Sequence, residues 1–222
     1  MNPMLAFRTF GPALALMLAA PSALADDIPA SAKQDTSGIY PDGIDSKAVT
    51  GKATATPAIV ERVVTWLDGA GEHVAVFAHS DSSETKKDVL YTGRTLYVTT
   101  FLRQGGKLKK LQDIREIVAP CELDMSARFI DGSVEVTNVD GDADGELVFA
   151  YVTRCAGDVS PMSMKLLMLE GKSKYILRGE TEVDVGNGVV AGGGYKPDFG
   201  KAPAALLDYA KQLWERFKRT GL

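Results

Sequence analysis

Histidine is almost absent: His73 and His79 are the only two in 222 residues. On a single strand they would share a face but stand about 20 Å apart along it, so they cannot chelate one metal together. Surface or core positions suit them better than catalysis. No serine or cysteine has a base placed beside it by spacing; the Asp158–Ser160 pair in "GDVSP" has neither histidine nor lysine in register, so nucleophilic catalysis has no visible machinery. There is no excess of basic charge either. The formal net charge is -4, and a mildly acidic, mixed surface argues against nucleic acid and anionic membrane as main partners. No apolar run after the N-terminal region is long enough to span a bilayer. No period of 20 to 50 residues repeats, which excludes a complete propeller or solenoid. "AGGGYK" lacks the Lys-Ser/Thr ending of a phosphate loop, so its glycines read as a connection.

The chain does carry an export signature. One positive charge, Arg8, precedes the apolar run from Ala13 to Ala20, and Ala23 and Ala25 form the small-x-small pattern that signal peptidase cuts. Residues 1–25 therefore read as a signal peptide, with the periplasm or the outside of the cell as destination. Cys121 is the first cysteine, so no lipid-attachment cysteine lies at the cleavage point. Mass spectrometry of the exported protein is expected to find Asp26 at its N-terminus; retention of the apolar run in a membrane fraction would contradict this. In an oxidising compartment Cys121 and Cys155, the only two cysteines, are most simply a disulfide, with two buried thiols as the alternative.

Residues 26–57 hold few large apolar groups and many Ser, Thr, Gly, Pro and Asp, which predicts a flexible leader. From residue 58 to 222 the texture predicts one mainly β domain. Short apolar segments alternate with turn residues, as in an antiparallel meander of about seven to nine strands. "IVERVVTW" and "HVAVFAH" flank the turn "LDGAGE". In "KLKKLQDIREIV", Leu108, Leu111, Ile114 and Ile117 recur every third residue, as in some helices, but the Gly105–Gly106 turn before it favours strand. The chain ends in one C-terminal α-helix, with Leu206, Ala210, Leu213 and Phe217 on one face, Pro203 at its start and basic residues in its last turn.

One stretch is arranged for chemistry: "TNVDGDADGELVFAY", residues 137 to 151. Alternate acids in a tight loop suit calcium, a hard cation that takes six to eight oxygens. Two registers fit. In one, Asp140, Asp142 and Asp144 lead, and Val148 and Tyr151 fall where further ligands belong. In the other, Asn138, Asp140 and Asp142 lead, Glu146 takes position nine, and Asp144 offers its carbonyl. The second places Ala143 where glycine is usual, at a cost of about 1 kcal/mol if its φ is positive. Asp140 and Asp142 are ligands in both. The alternative is an Asp-Gly hairpin turn with solvated carboxylates. Arg154, Asp158, Lys165, Arg178 and Glu180 form a second candidate set, a polar binding groove.

"NVDGDADGELVFAY" resembles the D-x-D-x-D-G-x-x-E/D loop of FG-GAP and VCBS-type calcium repeats, in the second register, with Asn138 and Ala143 in place of the usual Asp and Gly. More widely, "RCAGDVSPMSMKLLMLEGKSKYILRGET" and "GGGYKPDF…AP…LLDYAKQLW" resemble a family of bacterial exported proteins whose label sometimes mentions surface polysaccharide biosynthesis. The similarity runs from about Ile59 to Phe217. It implies Ca2+ at the acidic loop and a cell-envelope role. The combined expectation is a non-enzymatic, calcium-stabilised module that binds a glycan or protein partner; an enzyme or accessory factor of surface polysaccharide biosynthesis is the alternative. Glycosidase-type carboxylate pairs assemble in space rather than in sequence, which keeps that alternative open.

Overall fold

The computed structural model describes residues 32–52 and 57–219; the signal-peptide reading of residues 1–25 lies outside them. Thirteen strands and two helices follow one another among the described residues. Strands β1 (Lys33–Asp35), β2 (Ile59–Asp68), β3 (Gly71–Lys86), β4 (Val89–Gln104) and β5 (Lys107–Cys121) pair antiparallel in chain order, a plain meander. The second sheet has β6 (Met125–Phe129), β7 (Glu135–Thr137), β8 (Glu146–Cys155), β9 (Ser163–Glu170), β10 (Ser173–Glu180) and β13 (Tyr195–Asp198). Its order is β13-β10-β9-β8-β6, with β7 also on β8. A small ribbon joins β11 (Glu182–Asp184) to β12 (Val190–Gly192). The antiparallel β class and the C-terminal helix are as expected. The strand count is higher because three-residue strands such as β1, β7, β11 and β12 carry too little periodicity to be read singly. The three-residue recurrence in "KLKKLQDIREIV" is a strand, β5.

Alternation along the strands generates the layers. Phe77, Leu96 and Ile114 from the first sheet meet Leu147, Phe149, Leu167 and Ile176 from the second in one buried cluster. Phe77 and Phe149 meet edge to face with centroids 5.3 Å apart, a geometry aromatic quadrupoles favour. The intervening residues of β8 and β9, Val148, Ala150, Val152, Met164, Leu166 and Met168, point the other way, into a cluster closed by Leu206, Ala210, Leu213, Trp214 and Phe217 of helix α2 (Ala204–Phe217). The expected helical face is thus the buried one, with Trp214 added. Because both faces of β8 are covered, residues 146 to 152 are all buried, which is why "ELVFAYV" reads as a continuous apolar run rather than an alternation.

Residues 32–52, the described part of the segment expected to be a flexible leader, pack on the first sheet, with a short helix on its outer face. Lys33–Asp35 pairs with β2, and α1 (Ser46–Thr50) lays Val49 against Val60, Val74, Val76, Tyr97 and Phe101, with Ile44 beside it. Few apolar residues suffice because they fill one apolar strip on a sheet already formed. Asp45 caps α1, its side chain accepting from the Ala48 amide at 2.7 Å, which satisfies one of the free donors of the first turn. No helix among the described residues is long and apolar enough to cross a membrane.

The Cys121–Cys155 disulfide is present, with Cα atoms 5.9 Å apart. Cys121 ends β5 and Cys155 ends β8, so the bridge ties one sheet to the other.

Candidate metal centre and polar cleft

The acidic loop leaves β7 at Thr137 and enters β8 at Glu146. Its aspartates first order the loop itself. Asp140 Oδ1 accepts from the Asp142 amide at 3.3 Å, and Asp142 Oδ1 accepts from the Asp144 amide at 2.7 Å. Asn138 Nδ2 donates to the Asp142 carbonyl at 2.6 Å. These are the side-chain-to-backbone bonds that make Asp and Asn turn residues. The left-handed position is Gly141, with φ 75°. Ala143 has no positive φ, so the strain expected from an alanine at the glycine position does not arise.

Asp140 and Asp142 each place a carboxylate oxygen within 4.8 Å of one another and of Glu170 at the end of β9, a cluster that could hold a metal ion. Neither sequence register contains Glu170. Asn138, Asp144 and Glu146 lie outside this triad, although the Asp144 charge acts on Glu170. Leu147 pairs with Leu169, so Glu146 and Glu170 sit side by side at the ends of β8 and β9. Strand alternation sends both toward the α2 face with Val148 and Met168. Glu146 is fully buried. Its Oε2 accepts from Thr137 Oγ1 at 2.6 Å and from the Val139 amide at 3.0 Å, while its Oε1 has no hydrogen-bond partner among the described residues.

The two glutamates resist ionisation. Burial, with the Asp140 charge adding to it, pushes Glu146 from 4.5 up to about 7, against the pull of the Thr137 and Val139 hydrogen bonds. Burial also raises Glu170; the charges of Asp142, Asp140 and Asp144 act in the same direction, and the Tyr175 hydroxyl opposes them. Like charges side by side on neighbouring strands are destabilising. Among the described residues, no Lys, Arg or His forms an ion pair with Asp140, Asp142, Asp144, Glu146 or Glu170.

The loop also reaches the first sheet. The Gly69 amide donates to the Ala143 carbonyl at 2.8 Å, and the Gly145 amide donates to Asp68 Oδ2 at 3.1 Å. Asp68 additionally accepts from Trp66 Nε1 at 3.2 Å and from the Ala70 amide at 2.9 Å, and its Oδ1 lies 2.9 Å from His73 Nε2. The His73 ring stacks on Trp66. His73 is therefore a core residue. His79, also on β3, meets Glu61 Oε1 at 2.6 Å.

The residues of the expected polar groove are divided by the second sheet. Lys165, Arg178 and Glu180 alternate with the α2-facing residues of β9 and β10, whereas Arg154 continues the α2-facing row of Val148, Ala150 and Val152 on β8. Lys165 pairs with Glu116 of β5 at 2.6 Å, and Arg178 with Asp198 at 2.9 Å. Arg154 donates to the Asp158 carbonyl, and Asp158 Oδ1 accepts from Ser160 Oγ at 2.8 Å. Arg178 and Glu180 do line a cleft of about 650 Å³, together with Ser163, Tyr195 and Lys196. Glycine lets its backbone walls approach closely: a Cβ on Gly179 would stand 1.9 Å from the Gly194 carbonyl oxygen.

Comparison with protein-family models, curated proteins and solved structures finds no match. The geometry therefore defines the class on its own: a two-sheet β protein with a helix on its second sheet, an inter-sheet disulfide and an acidic cluster capable of holding a metal ion.

Proposed function

We propose that the protein is an exported cell-envelope module, stabilised by Ca2+ at the 138–146 loop, that binds an envelope glycan or protein without catalysing a reaction. The observation that carries this reading is the cluster of Asp140, Asp142 and Glu170 beside the buried, partnerless Oε1 of Glu146. An all-carboxylate oxygen donor set fits a hard cation such as calcium. The FG-GAP and VCBS resemblance of "NVDGDADGELVFAY" points the same way. Periplasmic or secreted localisation is supported by the signal-like residues 1–25 and by the disulfide. The cleft beside Arg178, Glu180 and Lys196 is the part of the expected groove that can receive a partner.

Calorimetric titration of the mature protein tests the cation directly. Calcium is expected to bind with a stoichiometry of one and magnesium much more weakly. Asp140→Ala and Asp142→Ala are expected to abolish binding, and Glu170→Gln to weaken it about tenfold or more. Equal binding by wild type and Asp142→Ala, or none by wild type, would leave the loop as a hairpin turn.

A further inference from the structure

Strand β8 is held to the first sheet at both of its ends. At its C-terminal end, Cys155 is bonded to Cys121 of β5. At its N-terminal end, some 30 Å away at strand rise, the contact is the acidic loop against the β2–β3 turn. There the Gly69 amide reaches the Ala143 carbonyl, and the Gly145 amide reaches Asp68. The fit depends on missing side chains. A Cβ on Gly69 would come within 2.9 Å of both Cβ and O of Ala143, and one on Gly145 within 3.1 Å of Trp66 Nε1. Ala143 and Gly145 alternate with Asp142 and Asp144, so one short segment carries both the cation cluster and the contact with the other sheet.

On its own side this segment is held by the hydrogen bonds among Asn138, Asp140, Asp142 and Asp144, and these do not join it to β9. Asp140 and Asp142 approach Glu170 of β9 as like charges. Independently, Glu146, fully buried at the root of the loop and beside Glu170, leaves Oε1 with no partner. A buried acceptor without a donor is costly, and a cation at the adjoining triad would set positive charge beside the Glu146 carboxyl while joining the loop to β9. We propose that a divalent cation at Asp140, Asp142 and Glu170 works as an inter-sheet clasp, fixing Ala143 and Gly145 against Asp68 and Gly69 and holding the sheets together at the end of β8 opposite the disulfide. The proposal rests on the cation reading above and adds its consequence. Ion binding and docking of the β2–β3 turn strengthen each other, because linkage between two binding equilibria is reciprocal.

Amide exchange of the mature wild-type protein, followed residue by residue by NMR with CaCl2 or EDTA, tests the coupling. Saturating calcium is expected to slow exchange at Gly69 and Gly145 about tenfold or more. Gly69→Ala attacks the clasp from the far side. It leaves every carboxylate in place, yet its Cβ collides with Ala143. It is expected to weaken calcium binding by about tenfold. Calcium binding with unchanged exchange at Gly69 and Gly145 would overturn the clasp while leaving the cation site standing. So would a Gly69→Ala protein that binds calcium as tightly as wild type. Absence of calcium binding in wild type would remove the site and the clasp together. The wild-type exchange measurement needs no variant, so it decides the matter even if Gly69→Ala does not fold.

Discussion

Replacing both Cys121 and Cys155 by alanine is expected to lower the free energy of unfolding by about 4 kcal/mol and the melting temperature by roughly 10 °C. The bridge spans a sequence separation of 34. In the chain-entropy account, closing a loop of that length restricts the unfolded ensemble by about this amount. The loop contains β6, β7, the acidic loop and β8, so the restriction acts on the strands that build the interface between the sheets. Two local terms accompany it. Cys121 is buried, and its Sγ accepts from the Leu123 amide at 3.3 Å; alanine loses that weak acceptor and leaves a small void. Urea melts of the wild type and the double variant measure the difference directly. A loss below about 1 kcal/mol would mean that the reduced chain is already confined by residual structure in its unfolded state. The same measurement in EDTA probes the other end of β8. With the cation also removed, neither end remains fastened, so the disulfide is expected to matter more in EDTA than in calcium.

The features that could be read from sequence are those with a strong local signature. Both faces of β8 and β9 are covered, and "ELVFAYV" and "MKLLML" are correspondingly apolar apart from Glu146 and Lys165. Helix α2 shows its buried stripe at helical spacing, and two lone cysteines leave one pairing. What escaped reading depends on register between distant segments. Glu170 is a single acid at the end of an apolar strand, about thirty residues from Asp140. It joins the cluster only because Leu147 pairs with Leu169, and nothing in the intervening turn at residues 156–162 announces that register. Asp68 likewise looks like an ordinary turn residue until the β2–β3 hairpin meets the other sheet. The polar groove failed for a related reason. Arg154 and Lys165 lie on adjacent strands, but alternation puts them on opposite faces of the sheet, and the face of each is known only once the strand boundaries are. Composition counts apolar residues without asking where they land, so it does not reveal that residues 33–50 of the leader pack on the first sheet. Ile44 and Val49 are few, yet they land on the open face of the first sheet.

Calcium at 100 times its dissociation constant is expected to stabilise the fold by about 2.7 kcal/mol and to raise its melting temperature by roughly 5 to 10 °C, reversibly with EDTA. The effect should depend on pH with a sign set by Glu146. Burial raises this carboxyl from 4.5 to about 7, so between those values the cation-free folded protein binds more protons than the unfolded chain. The contribution of this group is therefore expected to be fully present at and below pH 4.5 and to be lost as pH rises to about 7, with little further change above that. The gap corresponds to about 3 kcal/mol if the whole of it is expressed. Glu146→Gln should flatten the fall in EDTA, because glutamine cannot ionise and its carbonyl can still accept from Thr137 and Val139. A bound cation favours the ionised form, so calcium should stabilise wild type more at pH 7.5 than at pH 5. Thermal melts of wild type and Glu146→Gln at the two pH values, each with calcium and with EDTA, separate these terms. A wild type that is equally stable in EDTA at both pH values, with a calcium response independent of pH, would show that Glu146 is ionised in the folded protein without a cation's help. In that case the electrostatic demand for an ion at this end of β8 would be gone.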